Sequence, residues 1–271
     1  MTIPNLQKQR IIEYLKQGKR FDGRKTDEYR EIKIELGISE NAEGSCSVKF
    51  GNTEVWAGVK MEVLEPYPDS PDKGNFVTTV ELSPMASGEF ESGPPRIEAI
   101  ELGRIIDRGI RESGFIEFEK LCIKQGEKVW QIYLDLYAIN DDGNLMDCAA
   151  LAGLIALASA KMPVYNEETG KPEHELSKEN LPLNKDAMAF NITLHKIDDH
   201  IIADVSKEEE DSSDWRISLA VADNNGEPRI TAMQKGKKVA MDEEEIEKVL
   251  NLVEEKFKEI MLKINKIVWG K

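Results

Sequence analysis

The sequence of 271 residues predicts an α+β fold built from two related halves, each a mixed sheet covered by helices. Three observations carry that expectation. Apolar and polar residues alternate with the period of a half-buried strand through much of 32–82 and again within 190–234. Each group of strands leads into a helix with a long apolar stripe or a wholly apolar surface. The order of strands followed by a long helix occurs twice along the chain.

Taken in order, Ile11, Ile12 and Leu15 have helical spacing and Gly18 ends that helix. Ile32, Ile34, Leu36 and Ile38 then alternate as a strand. Cys46, Val48 and Phe50 continue the pattern, Gly51-Asn52 marks a tight turn, and Val55, Ala57 and Val59 return antiparallel. Residues 65–74 hold three prolines and read as a loop, and Phe76 to Leu82 as another strand. Pro94-Pro95 precedes a helix whose buried stripe is Leu102, Ile105, Ile106 and Ile110, ending near Gly114. On another face of that helix Arg104, Arg108 and Arg111 form a basic line. Lys128 to Ile139 is a long strand, Asp141 to Asn144 a turn, and Cys148 to Met162 a helix apolar on nearly every side, hence central. Residues 163–186 are polar, carry three prolines and no period, and read as a linker or long surface loop. Strands resume at 190–194, 200–203, 217–221 and 229–234, the last pair bracketing an Asn224-Asn225-Gly226 turn. The closing helix keeps Ile246, Val249, Leu250, Val253, Phe257, Ile260, Ile264 and Ile267 on one face. The expected division is 1–30 (N-terminal helix and basic segment), 31–162 (first half), 163–186 (linker) and 187–271 (second half).

Composition narrows the function. The longest apolar run, Ala149 to Ala160, is shorter than the ~18–20 residues of a membrane span, and the charged N-terminus lacks an apolar signal core, so a cytoplasmic protein with no membrane partner is expected. Three widely spaced cysteines, Cys46, Cys122 and Cys148, form no CxxC, and no His/Cys/carboxylate spacing suggests a metal site. No cofactor is expected. The net charge of −15 opposes tight nucleic-acid binding by the chain alone. Yet residues 1–30 hold eight basic against four acidic side chains, so basic surface is expected locally there.

Three stretches carry more. Arg20-Phe21-Asp22-Gly23-Arg24, with Arg30 and the strand from Glu31, resembles the R-x-D-G-R opening of the RNase PH family. The helix Glu101 to Arg108 resembles that family's E-I-x-R-x-I-x-R helix, and Trp130 to Ala160 its phosphate-loop region. An isolated Asp-Gly-Arg is more often a turn; the order and spacing of all three along most of the chain make the resemblance. It implies the RNase PH fold (ribosomal protein S5 domain 2-like) and, for active members, phosphate-dependent 3′-to-5′ removal of nucleoside diphosphates from RNA. That chemistry needs a cradle of N–H groups, hydroxyl and guanidinium for phosphate, and a carboxylate pair for a divalent metal or for protonating the leaving oxygen.

Measured against active members, the sequence departs in three places. Glu98 stands where they carry arginine, Gly143-Asn144-Leu145 where they read G-[ST]-R, and the second carboxylate position falls on Arg216 or Ile217, with Asp214 out of register after Glu210 or Asp211. A carboxylate ~4 Å from bound phosphate costs several kcal/mol at an effective dielectric of ~20. No catalytic residue is therefore expected.

The motif from Asp204 to Glu210 and the Arg-Ile-Ile-Asp-Arg helix resemble the silent RNase PH-like ring subunits of the archaeal exosome. That resemblance implies an alternating hetero-hexamer with an active RNase PH-like subunit, RNA-binding cap subunits on one face, and single-stranded RNA as ligand. It also gives Arg104 and Arg108 an RNA-binding role. The plain alternative pairs Glu101 with Arg104 and Asp107 with Arg111 within the helix. For the acidic run 208–211 the bland reading is a solvated loop. A contrary reading makes the chain a phosphorolytic exoribonuclease in its own right, using Asp204 or Asp211 with Arg216; a third is a scaffold that never touches RNA.

Overall fold

The computed structural model describes residues 5–224 and 227–269. A first sheet is built from β1 (Ile32–Leu36), β2 (Gly44–Phe50), β3 (Thr53–Leu64), β4 (Asn75–Leu82), β5 (Cys122–Lys124) and β6 (Lys128–Asn140). Its order is β1-β2-β3-β6-β4, with β5 at one end of β6. Only β4 runs parallel to its neighbour, β6. Two strands running the same way need a crossover, and helix α2 (Ile97–Ser113) supplies it. Its C-terminus is closed by Gly114 in the left-handed conformation, as the sequence predicts. The Gly51-Asn52 turn sets the β2–β3 register, pairing Phe50 with Thr53.

Helix α3 (Leu145–Ser159) packs on β2, β3 and β6 on one side and reaches β9 on the other. That double contact is why it is apolar all round. The stretch expected to be a linker or loop, 163–186, instead contains most of a hairpin of β7 (Lys161–Asn166) and β8 (Lys171–Asn180). Its β8 is exposed along nearly its whole length, so neither face needed an apolar period. The second sheet, β10-β9-β11-β12, is antiparallel throughout: β9 (Ala189–Ile197), β10 (His200–Ala203), β11 (Trp215–Asn224) and β12 (Glu227–Gly236). Helix α2 touches strands of both sheets, and at Gly109 an added Cβ would lie 2.8 Å from the Ala220 methyl, so only glycine lets helix and sheet approach this closely.

One continuous core runs through both sheets. Helix α5 (Glu243–Trp269) buries Val249, Val253, Phe257, Ile260 and Ile264 against it, while Ile246 and Leu250, expected on the same face, are half exposed. Residues 225–226 of the predicted turn and the side chain of Ile267 lie outside the described residues. Helix α1 (Asn5–Lys16) forms a separate small cluster, in which Ile11 and Leu15 pack with Ile197, Ile202 and Val205. Two such side chains contribute about 1.5–3 kcal/mol each. The N-terminal helix is thus anchored on the second half of the chain, not on the half that follows it in sequence. Cys46 and Cys148 are buried thiols and Cys122 is partly buried. No helix among the described residues is long and apolar enough to cross a membrane.

Candidate functional site

The Arg-rich opening motif is a fastening. Asp204, fully buried, accepts from Arg30 Nη2 at 2.7 Å and Nε at 2.9 Å, from the Arg30 backbone N–H at 2.7 Å, from Arg24 Nη1 at 2.9 Å and from Asn144 Nδ2 at 2.9 Å. Burial alone would push this carboxyl up, but Arg30, by hydrogen bond and by charge, takes it below the usual range. Arg20 forks onto Glu209 and donates to the carbonyls of Ala203 and Asp204. Lys8 and Lys16 pair with Asp214 and Asp198. Three of the eight basic side chains of residues 1–30, Arg20, Arg24 and Arg30, are therefore spent inside the fold, while Arg10, Lys16, Lys19 and Lys25 are exposed, and Asp204 is not free for the catalytic part that the contrary reading gave it.

The acidic run is also a structural element, not a solvated loop. Residues Lys207–Ser212 form the short helix α4, with Glu209 buried on Arg20 and accepting from the Ser206 N–H at 2.9 Å. Glu210 accepts from the Asn144 N–H at 3.1 Å, at the start of α3. Gly143 makes the approach possible: its φ is +86°, and a Cβ there would sit 2.4 Å from the Ser206 carbonyl carbon. Gly143-Asn144-Leu145 thus works as a joint between the halves.

Beside that joint lies a cavity of about 510 Å³, bounded by β4, the 83–96 loop, the first turns of α2 and α3, β9, β11 and α4. It gathers the three departures noted in the sequence: Glu98, Asn144-Leu145, and Glu210 with Arg216. Every cation on its wall is matched by a carboxylate. Arg96 pairs with Glu91 and Arg216 with Glu101; Lys207 lies 3.3 Å from Glu89 and 3.5 Å from Asp141. Burial, then the charge of Glu210 against the opposing pull of Lys207, leaves Asp141 above the ordinary carboxylate range. Phosphate entering here would have to break an ion pair to find a guanidinium. The residues do not fit the divalent ion used by active members either: among the described residues no three His, Cys, Asp or Glu side chains form a ligand set.

The α2 arginines contrast with these. Arg111 pairs with Asp107 at 3.0 Å, donates to the Phe76 carbonyl at 2.8 Å and lies over the Phe76 and Phe118 rings. Glu101, the expected partner of Arg104, is taken by Arg216. Arg104 and Arg108 are exposed, one helical turn apart, with no hydrogen bond or ion pair among the described residues. Two free guanidinium forks about 6 Å apart along a helix can hold successive anionic oxygens. Exposed Ile97 and Ile100 continue the same helix toward its N-terminus, a feature the sequence reading passed over although their spacing beside Arg104 was visible.

The two stacked α/β units and their shared joint define a class: the chain belongs to the 3′ exoribonuclease (RNase PH) family. The model for the first domain of that family matches residues 28–163, and the model for the second matches 187–256. Among individual proteins, the chain is 41% identical over 265 residues to exosome complex component Rrp42 of Thermococcus onnurineus, covering 97% of this chain and 96% of the relative. It is 43% identical over 268 residues to Rrp42 of Pyrococcus horikoshii, covering 98% and 94%. It is also similar to a chain in the Archaeoglobus fulgidus exosome with RNA bound to the active site, with a TM-score of 0.84, 36% identity and 94% and 97% of the two chains covered. A chain of an archaeal exosome core aligns with a TM-score of 0.80 and 33% identity over 95% and 96%.

Proposed function

We propose that this chain is a non-catalytic RNase PH-like subunit of an archaeal exosome ring, acting in 3′-to-5′ RNA degradation by holding RNA for an active partner and structuring that partner's site. The observation that carries this reading is the pair Arg104 and Arg108, exposed and unpaired on α2 while the cations of the neighbouring cavity are matched by carboxylates. Identity above 40% to Rrp42 proteins over nearly the full chain supports the exosome assignment. Arg104 and Arg108 bind RNA phosphates without reading bases, so the contribution is independent of sequence. The partners in this reading are the active RNase PH-like subunit, alternating with this one in a hetero-hexamer, RNA-binding cap subunits, and single-stranded RNA. The division into 1–30, 31–162, 163–186 and 187–271 is part of the same proposal, supported by the two matched ranges.

The test is an assay of the purified chain with phosphate, magnesium and a 5′-labelled oligonucleotide, alone and with an active RNase PH-like partner. No nucleoside diphosphate is expected from the chain alone, and robust release from it would overturn the proposal. Mixing with the partner should give a complex with the mass of three copies of each.

A further inference from the structure

The first sheet has two faces of different character. Helices α2 and α3 both lie against the side that carries Val80, Leu134 and Leu136. The other side is where a half-buried sheet meets water, and such a side is normally polar. Here it carries aromatic rings. Trp56 on β3 and Tyr137 on β6 are direct cross-strand partners and remain 45% and 43% exposed. The indole is held in place, because its Nε1–H donates to Glu54 Oε1 at 2.8 Å. Two positions along the strands Gly58 faces Asp135, and a Cβ added at Gly58 would meet nothing within 4 Å, so the surface there is low and open. Tyr133 stands beyond it, four residues from Tyr137 on the same face, about 13 Å along the strand.

Charge on this face has one sign to spare. Its lysines are matched: Lys33 by Glu31 at 3.0 Å, Lys49 by Glu54 at 2.9 Å and Lys60 by Glu43 at 2.6 Å. Three carboxylates around the rings, Glu62, Asp135 and Glu81, have no ion pair among the described residues. Glu81 is the cross-strand partner of Tyr137 on β4, and Asp135 takes a hydrogen bond from Thr79. Burial, then the charges of Asp135 and Glu81, hold the Tyr137 hydroxyl above its usual value, and burial with Glu62 does the same for Tyr133. The rings therefore sit within reach of unneutralised negative charge.

A planar cation suits that combination. Guanidinium stacks on the face of an indole or phenol while its edge donates to carboxylates, whereas ammonium is a compact, strongly hydrated charge. Single-stranded nucleic acid also stacks on exposed rings, but here its phosphates would meet three unmatched carboxylates and no free cation. We propose that the outer face of the first sheet docks an extended, arginine-bearing segment of a partner protein, with one guanidinium on Trp56 and Tyr137 beside Glu81 and Asp135, and a second on Tyr133 beside Glu62. Arginines four residues apart in an extended chain span the same ~13 Å as the two tyrosines. The surface lies on the opposite side of the sheet from Arg104 and Arg108, and the inference is independent of their RNA role.

The experiment is a titration of the full-length chain, at physiological salt, with a peptide of three Arg-Gly-Gly-Gly repeats, followed by calorimetry and by tryptophan fluorescence. Trp130 and Trp215 are buried, so a change on binding that disappears in Trp56→Phe reports on this face. Saturable binding is expected, weakened at least tenfold by Trp56→Ala with Tyr137→Ala and at least fivefold by Glu81→Gln with Asp135→Asn, a pair that removes charge without removing volume. The same peptide with lysine for arginine should bind at least threefold more weakly. Tyr14→Ala with Phe21→Ala, a ring pair near the start of the chain, should leave the affinity unchanged. Absence of saturable binding, equal affinity for the lysine peptide, equal weakening by the Tyr14 and Phe21 substitutions, or tighter binding of oligouridylate than of the peptide at Trp56 would each overturn the proposal.

Discussion

Arginines near the start of the chain and arginines on α2 are the same side chain put to opposite uses. Arg20, Arg24 and Arg30 lie at the seam between the halves, each held by a carboxylate and by backbone carbonyls. Arg104 and Arg108 hold nothing within the described chain. The difference teaches that a basic motif acquires its role from what lies within reach of it. Arginine beside a buried carboxylate is structure, whereas arginine left open on a helix is available to a phosphate. It also explains how a chain of net charge −15 can contribute to an RNA path: two guanidinium groups stay exposed and unpaired among the described residues despite the acidic excess.

The contrast can be broken most forcefully at Asp204. Asp204→Ala would leave the guanidinium groups of Arg24 and Arg30 buried beside an empty place, a loss of about 3–5 kcal/mol in a denaturant titration. A midpoint unchanged from wild type would mean that the seam does not depend on this network. Next in size is Asp147, buried under Tyr29, Asn144 and Thr193, whose carboxyl burial pushes up from 3.8 to about 7. A group with a raised folded value stabilises the fold fully below its unfolded value and loses that contribution as pH rises through the folded one. Between pH ~4 and ~7 the chain should therefore lose on the order of 4 kcal/mol from this residue, and Asp147→Asn should flatten that slope in denaturation curves taken at several pH values. Asp204, with a lowered folded value, has the opposite sign and loses its contribution as pH falls below the ordinary carboxylate range.

Smaller effects separate the arginines of α2 from one another. Arg111→Ala removes an ion pair, a carbonyl contact and two aromatic neighbours, about 1 kcal/mol of stability, with RNA affinity unchanged when the assembled complex is titrated. Arg104→Ala with Arg108→Ala should shift stability by less than about 0.5 kcal/mol in a thermal melt, because no contact of the folded chain is lost.

Much of the fold was legible because each local signal has a local cause. Pro94-Pro95 and Gly114 frame α2, Gly51-Asn52 turns β2 into β3, and the apolar surface of α3 announces a helix between two layers. The β7–β8 hairpin was not legible, because β8, exposed along nearly its whole length, shows no alternation. The cavity was foreshadowed by Glu98, Asn144 and Arg216 as departures from a resembling pattern, but its matched ion pairs join residues 115 positions apart in the case of Glu101 and Arg216. For the same reason the R-x-D-G-R motif gave no hint of being a clamp: its principal partner, Asp204, lies 174 positions from Arg30. Arg104 and Arg108 were found from helical spacing and family resemblance, and their freedom became visible only when Glu101 was seen bound elsewhere.

Salt dependence of RNA binding by the complex assembled with an active partner tests the central claim most directly. On single strands each phosphate contact contributes about 0.7 to the slope of log affinity against log salt, so Arg104→Ala with Arg108→Ala should reduce that slope by about 1.4 and weaken binding roughly tenfold or more at low salt, with the complex still assembled. An unchanged slope and affinity in an intact complex would contradict an RNA role for these two arginines.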